Sequence, residues 1–197
     1  MIDEVIERSL GALDLMLGRR QGGWDRLDVS ADGFWNSFLA IPACAPAILI
    51  ILLSHTRWLQ SAGIEASTPA VLGMLVVIEL ANWVLTLLIV ALLARPLGIA
   101  DRIPHLVVAL NWGSVTFAYA RAIPSALTLV TGVGEFLAVA MLVLTVAMLV
   151  LYWRLLAAAA NATVAVPTAL FIATVAFGYA LSIAAQSSLG LVPEASR

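Results

Sequence analysis

Residues 70–94 read AVLGMLVVIELANWVLTLLIVALLA, an apolar run interrupted by one carboxylate, Glu79, and by the small polar side chains Asn82 and Thr86. A helix rises about 1.5 Å per residue, so roughly 20 mostly apolar residues cross the hydrocarbon core of a bilayer. The run is long enough to do so. It lacks the regular polar face that a helix on a soluble domain shows to water, and lipid is the solvent that fits it.

Working outward, the same pattern recurs at 34–53, 136–156 and 164–185. A further stretch, 105–119, is shorter and less apolar; it reaches a spanning length, about 104–123, only when extended to the prolines at its ends, Pro104 and Pro124. The polar or helix-breaking groups Ser54–Arg57, Arg95–Gly98, Arg121–Pro124 and Asn161–Thr163 separate the runs. Trp35, Trp58 and Trp153 fall near run ends, where amphipathic rings favour the headgroup zone. These features predict an all-α, polytopic transmembrane helical bundle of about five spans. A four-span alternative leaves the third stretch re-entrant or lying along the interface.

Composition agrees. The chain of 197 residues is 62% hydrophobic and 11% charged, with a mean hydropathy of +1.04. A soluble domain carries roughly 25% charged residues to keep its surface in water, so much of this surface is expected to face lipid. A net charge of -2, without any basic tract, argues against nucleic-acid binding.

Residues 1–33 differ from the rest, holding seven of the twelve acids and four of the ten arginines. Ile2, Val5, Ile6, Leu10, Leu13 and Leu17 recur at helical spacing, with Asp3, Glu4 and Glu7 in the first turn, where the helix dipole favours negative charge. An amphipathic cytoplasmic helix, ended at Gly18, and a linker without periodicity are expected ahead of the bundle. Residues 191–197 read as a short tail.

Arginine placement sets the orientation. With the N-terminus inside, Arg8, Arg19, Arg20, Arg26, Arg95, Arg102 and Arg154 lie on the inner side, and Arg57, Arg121 and Arg197 on the outer side. Every basic residue is arginine, which together with abundant alanine and leucine fits GC-rich bacterial coding. The expected location is a bacterial inner membrane, with the N-terminus cytoplasmic. The acidic, amphipathic start does not fit a signal peptide, and Ile41–Cys44 sits too early in its apolar run for a lipoprotein box.

Glu79 is the sharpest candidate for chemistry. A charged carboxylate at the centre of a membrane helix costs about 2.5 kcal/mol or more. Asn82 and Thr86 share its helix face. Asn111 is the natural partner in the next span, because Asn82-Trp83 and Asn111-Trp112 repeat one dipeptide, and Ser114 completes a conceivable cluster of Glu79, Asn82, Asn111 and Ser114. Two readings stand: a proton- or cation-binding group, or a carboxyl that fixes helix packing. Pro42 and Pro46 predict a kink or break in the first span, though prolines near a helix start are also simply tolerated. Ala176, Ala180 and Ala184 form a small-residue stripe suited to close helix approach.

No constellation fits nucleophilic or acid–base catalysis, so no enzyme activity and no catalytic residue are expected. Cys44 is the single cysteine, and His55 and His105 fall on opposite membrane sides, so neither a metal site nor a cofactor is expected. The stretch Ser30–Pro42, SADGFWNSFLAIP, looks like the start of small, uncharacterised proteobacterial inner-membrane proteins. The five-span plan behind a polar N-terminal segment resembles the Yip-type (Rab-interacting protein) membrane family. That resemblance implies a non-enzymatic role in membrane organisation. The expected function is therefore an accessory, scaffolding or assembly subunit, in contact with the lipid bilayer and with other membrane subunits or a second copy. The alternative is a small transporter or channel subunit using the Glu79 cluster.

Overall fold

The structure, a computed structural model, describes residues 2–132 and 134–191. Within the expected tail, residues 192–197, Arg197 among them, lie outside the described residues. Eight α-helices follow one another: α1 (Ile2–Met16), α2 (Arg20–Arg26), α3 (Ala31–Asn36), α4 (Ala40–Ser61), α5 (Thr68–Ala94), α6 (Ile103–Thr131), α7 (Glu135–Ala160) and α8 (Ala165–Ser188). A 3-10 turn, Ser37–Leu39, joins α3 to α4, and no strand occurs among the described residues. Five helical runs are long and apolar enough to cross a membrane: Ala31–Ser61, α5, Ala100–Thr131, α7 and α8. The protein is an all-α, multi-pass membrane bundle.

The third run is the innermost helix. Leu106, Val108, Ala109 and Asn111 on α6 are fully enclosed, with α1, α4, α5 and α7 packed around them. Most of the apolar window of α6 is covered by protein, whereas none of α7's is. Low hydropathy here reflects burial in protein, where small and polar side chains can be matched, rather than a weaker tie to the membrane. The helix runs unbroken through Arg121 and Pro124, which the sequence suggested as a boundary. Pro124 removes one amide from the ladder, and nearby hydroxyls make use of the disturbed turn: Ser125 donates to the Arg121 carbonyl and Thr128 to the Ser125 carbonyl. Likewise Ser54–Arg57 lies within α4, not after it.

Hydrogen bonds between Ser37 and Asn111 and between Ser54 and Thr128 show that α4 and α6 run in the same direction. Gly113 faces Leu155 and Phe117 meets Tyr152, so α7 runs back against α6. Asn82 donates to Ser182, tying α5 to α8. One end of the bundle therefore carries the N-terminal segment, the turn 95–99 and the turn 161–164. The opposite end, called here the far end, carries the α4–α5 and α6–α7 connections. His55 and His105 sit toward these opposite ends.

The N-terminal segment departs from the expected linker. Gly11 and Gly23 let α1 and α2 cross closely, and a Cβ on either would press on the other's backbone oxygen. Ser30 caps α3 by accepting from the Gly33 amide. Hydrogen bonds from Ser30 hold the Asp28 carboxyl below its ordinary pKa. Gly33 must be glycine, because a Cβ there would run into the backbone of Asp28.

The apolar face of α1 is also reassigned. Gly11, Ala12, Leu15 and Met16 are buried, while Ile2, Ile6, Leu10 and Leu17 remain exposed. The helix packs on α2, α6 and α7 at once, and that three-sided contact selects a face built from small residues as well as large ones. The chain reverses after α1 at Gly18, whose φ of 87° suits glycine. In the first span, the tight 3-10 winding at Ser37–Leu39 lies just before Pro42, whose ring crowds the carbonyl four residues back.

Candidate functional site

Glu79 lies near the middle of α5 and lines a partly open cavity of about 240 Å³ between α4, α5, α6 and α7. Asn82, one turn on, and Ser114 of α6 line the same space. Three of the four residues singled out from the sequence thus share one cavity. Helical spacing explains the first two, because residues i and i+3 point the same way.

Asn111 does not line this cavity. It is fully buried one layer away, where its side-chain oxygen accepts from Trp83 Nε1 at 3.0 Å and its amide donates to Ser37 Oγ at 2.8 Å. The two Asn-Trp dipeptides do meet, but through Trp83 rather than Asn82. Asn111 still reaches the cavity wall indirectly, because Ser114 Oγ donates to its carbonyl at 2.6 Å. Asn82 is held from the other side by its 2.8 Å bond to Ser182 of α8.

Arg121 is the residue that sequence reading placed elsewhere. The group Arg121–Pro124 suggests a boundary between apolar runs, yet on the continuous α6 Arg121 sits ten positions before the helix end and faces the same cavity as Glu79. The apolar continuation from Ala126 to Val130 was the available signal that the helix did not stop. Cys44 completes the polar lining, with Sγ 3.6 Å from Ser114 Oγ. Tyr152 closes the α7 side and is anchored by a 3.0 Å hydrogen bond to Thr174.

The side chains of Glu79 and Arg121 make no hydrogen bond or ion pair among the described residues; the ion pairs present there join Asp14 to Arg19 and Arg26, in the N-terminal segment. A carboxyl and a guanidinium group therefore open on one intramembrane space without direct contact. Such an arrangement can bind a polar or ionic solute, or exchange a proton at the carboxylate. No group of three or more His, Cys, Asp or Glu side chains gathers among the described residues in a way that could hold a metal ion.

A second cavity, of about 680 Å³, lies toward the far end between α4, α6 and α7. Arg121 lines it too, so the side chain stands at the border of both spaces. Comparison of the chain with family models, with curated proteins and with solved structures gives no match.

Proposed function

We propose that this multi-pass membrane protein binds a small polar solute within the bilayer, as a transporter or transporter subunit, and that Glu79 is its proton- or cation-exchanging group. One observation carries this reading: Glu79 and Arg121, on facing helices, open unpaired on a common cavity about midway along the spans. Ionisable side chains at that depth are costly, and a purely structural pair would be expected to close into direct contact. The role is non-enzymatic.

The reading includes an inner-membrane location with the N-terminus cytoplasmic. Its support is that the connections at the far end, 62–67 and 132–134, hold no arginine and only Arg57 lies near that end, while Arg8, Arg19, Arg20, Arg26, Arg95, Arg102 and Arg154 lie toward the N-terminal end.

The test is a substitution. Proteoliposomes loaded with a pH-sensitive dye and challenged in turn with sodium and with small organic acids should show proton movement for the wild-type chain. Glu79→Gln should abolish it while leaving folded protein as abundant as before. Proton movement that survives Glu79→Gln would contradict the assignment.

An accessory or assembly subunit is the second reading, and two surface features favour it. No residue of α7 from Glu135 to Arg154 is buried. Ala176, Ala180 and Ala184 are exposed on α8, outside its contact with α5, and small residues at that spacing are the surface by which membrane helices meet one another.

A further inference from the structure

We propose that the far-end cavity is a binding site for an anionic lipid, with the phosphate-bearing head held by Arg57 and Arg121 and the upper chain lying against α7. The proposal shares one residue, Arg121, with the transport reading and does not otherwise rest on it. Arg121 belongs to both spaces, but Arg57 and His55 belong to this one alone.

The electrostatics come first. Arg57, Arg121 and His55 line the space, and no aspartate or glutamate does. Neither arginine has an ion-pair partner among the described residues. Arg57 donates one N–H to the Leu129 carbonyl at 3.0 Å, which fixes the guanidinium and leaves further donors open. Two guanidinium groups offer the forked, charge-assisted hydrogen bonds that phosphate oxygens accept.

Depth and shape select a lipid over a free anion. Arg57 lies four residues before the end of α4, about 6 Å along the axis and so close to headgroup level. Arg121 lies deeper, roughly 15 Å before the end of α6, and its stem carries the guanidinium toward Arg57 as far as the border of the two cavities. The opposite wall, on α7, is formed by Met141, Leu144, Thr145 and Met148, and is apolar but for the Thr145 hydroxyl, which donates to the Met141 carbonyl of its own helix. Because α7 packs on α6 and α8 and stands off α4, a lipid can enter sideways from its own leaflet. The volume of about 680 Å³ suits a headgroup with the first part of its chains and greatly exceeds what inorganic phosphate needs.

The experiment uses the full chain, purified in a neutral detergent and incubated with equal amounts of phosphatidylglycerol and phosphatidylcholine, with retained lipid read by mass spectrometry. Phosphatidylglycerol should be retained about tenfold over phosphatidylcholine. Arg57→Gln should bring the ratio near one, and Arg57→Lys should keep most of it. Leu144→Trp, which puts a bulky ring where the upper chain would lie and leaves every charge in place, should also remove the preference; it decides the matter if Arg57→Gln does not fold. Inorganic phosphate in large excess should leave the lipid bound. Equal retention of the two lipids would overturn the proposal. So would a preference that survives Leu144→Trp, and displacement of the lipid by stoichiometric phosphate would assign the space to a soluble anion instead.

Discussion

A chain lacking residues 1–18 should be recovered in poor yield and melt well below the full-length protein, because α1 is a structural part of the bundle. Leu15 and Met16 are 1% and 0% exposed, and Ala12 is fully buried beside them. The Met16 methyl group packs toward Gly113 of α6, where any Cβ would crowd it, and Leu155 of α7 approaches the same glycine. The Arg154 guanidinium lies against Gly18 just beyond the end of the helix, and Ser9 accepts from Thr116 at 3.4 Å. Truncating one buried leucine costs about 2–5 kcal/mol in a well-packed core, so Leu15→Ala alone should lower the melting midpoint, and removal of the whole helix should do so further. Size-exclusion profiles and thermal melts in detergent measure both. A truncated chain that melted like the intact one would mean that α1 is an appendage, free to serve a partner.

Asn111→Leu should destabilise the protein by about 2 kcal/mol although it swaps side chains of similar size. The amide is fully buried and ties three elements together: α6 through its own backbone, α5 through Trp83, and the 3-10 turn of the first span through Ser37. Ser37 keeps its own 2.7 Å bond to the Phe34 carbonyl, so the group left stranded is the Trp83 indole N–H. Stranding a fully buried donor costs about 1–3 kcal/mol, and the partly buried indole of Trp83, which also lines the Glu79 cavity, falls in the lower part of that range. Combining Asn111→Leu with Trp83→Phe should therefore cost less than the sum of the two separate changes, by about 1 kcal/mol. Strict additivity in thermal melts of the four proteins would show that the contact contributes nothing.

The helices were legible because apolar runs of spanning length have few alternatives in lipid. Their ends were less so. Ser54–Arg57 and Arg121–Pro124 look like interruptions when hydropathy is averaged along the chain, yet both lie inside helices and turn toward cavities. A linear scan cannot tell a polar residue that ends a span from one that faces an internal space. The weakness of the third stretch has the same origin, since α6 is surrounded by protein and needs fewer large apolar side chains than a helix facing lipid.

For the site, periodicity on a single helix sufficed to join Glu79 with Asn82. Pairing across helices was harder. The repeated Asn-Trp dipeptide pointed to the correct two helices but to the wrong side chain, because the longer Trp83 reaches Asn111 where Asn82 turns to Ser182. Arg121 escapes a linear reading because Pro124, a common stop in water-soluble helices, is accommodated within a continuous membrane helix. The covered face of α1 was misread because glycine and alanine carry little hydropathy signal, although they are what lets helices touch.

The central claim is that α6 crosses the bilayer as the protein-enclosed core of five spans, and side-specific labelling tests it most directly. Cys44 is the single cysteine, so Cys44→Ser supplies a background for Ala100→Cys and Thr131→Cys, both at exposed positions flanking α6. A membrane-impermeant maleimide applied to sealed vesicles of each orientation should label the two sites from opposite sides. Labelling of both from the same side would make the third stretch re-entrant, leave four spans, and remove the common cavity on which the roles of Glu79 and Arg121 depend.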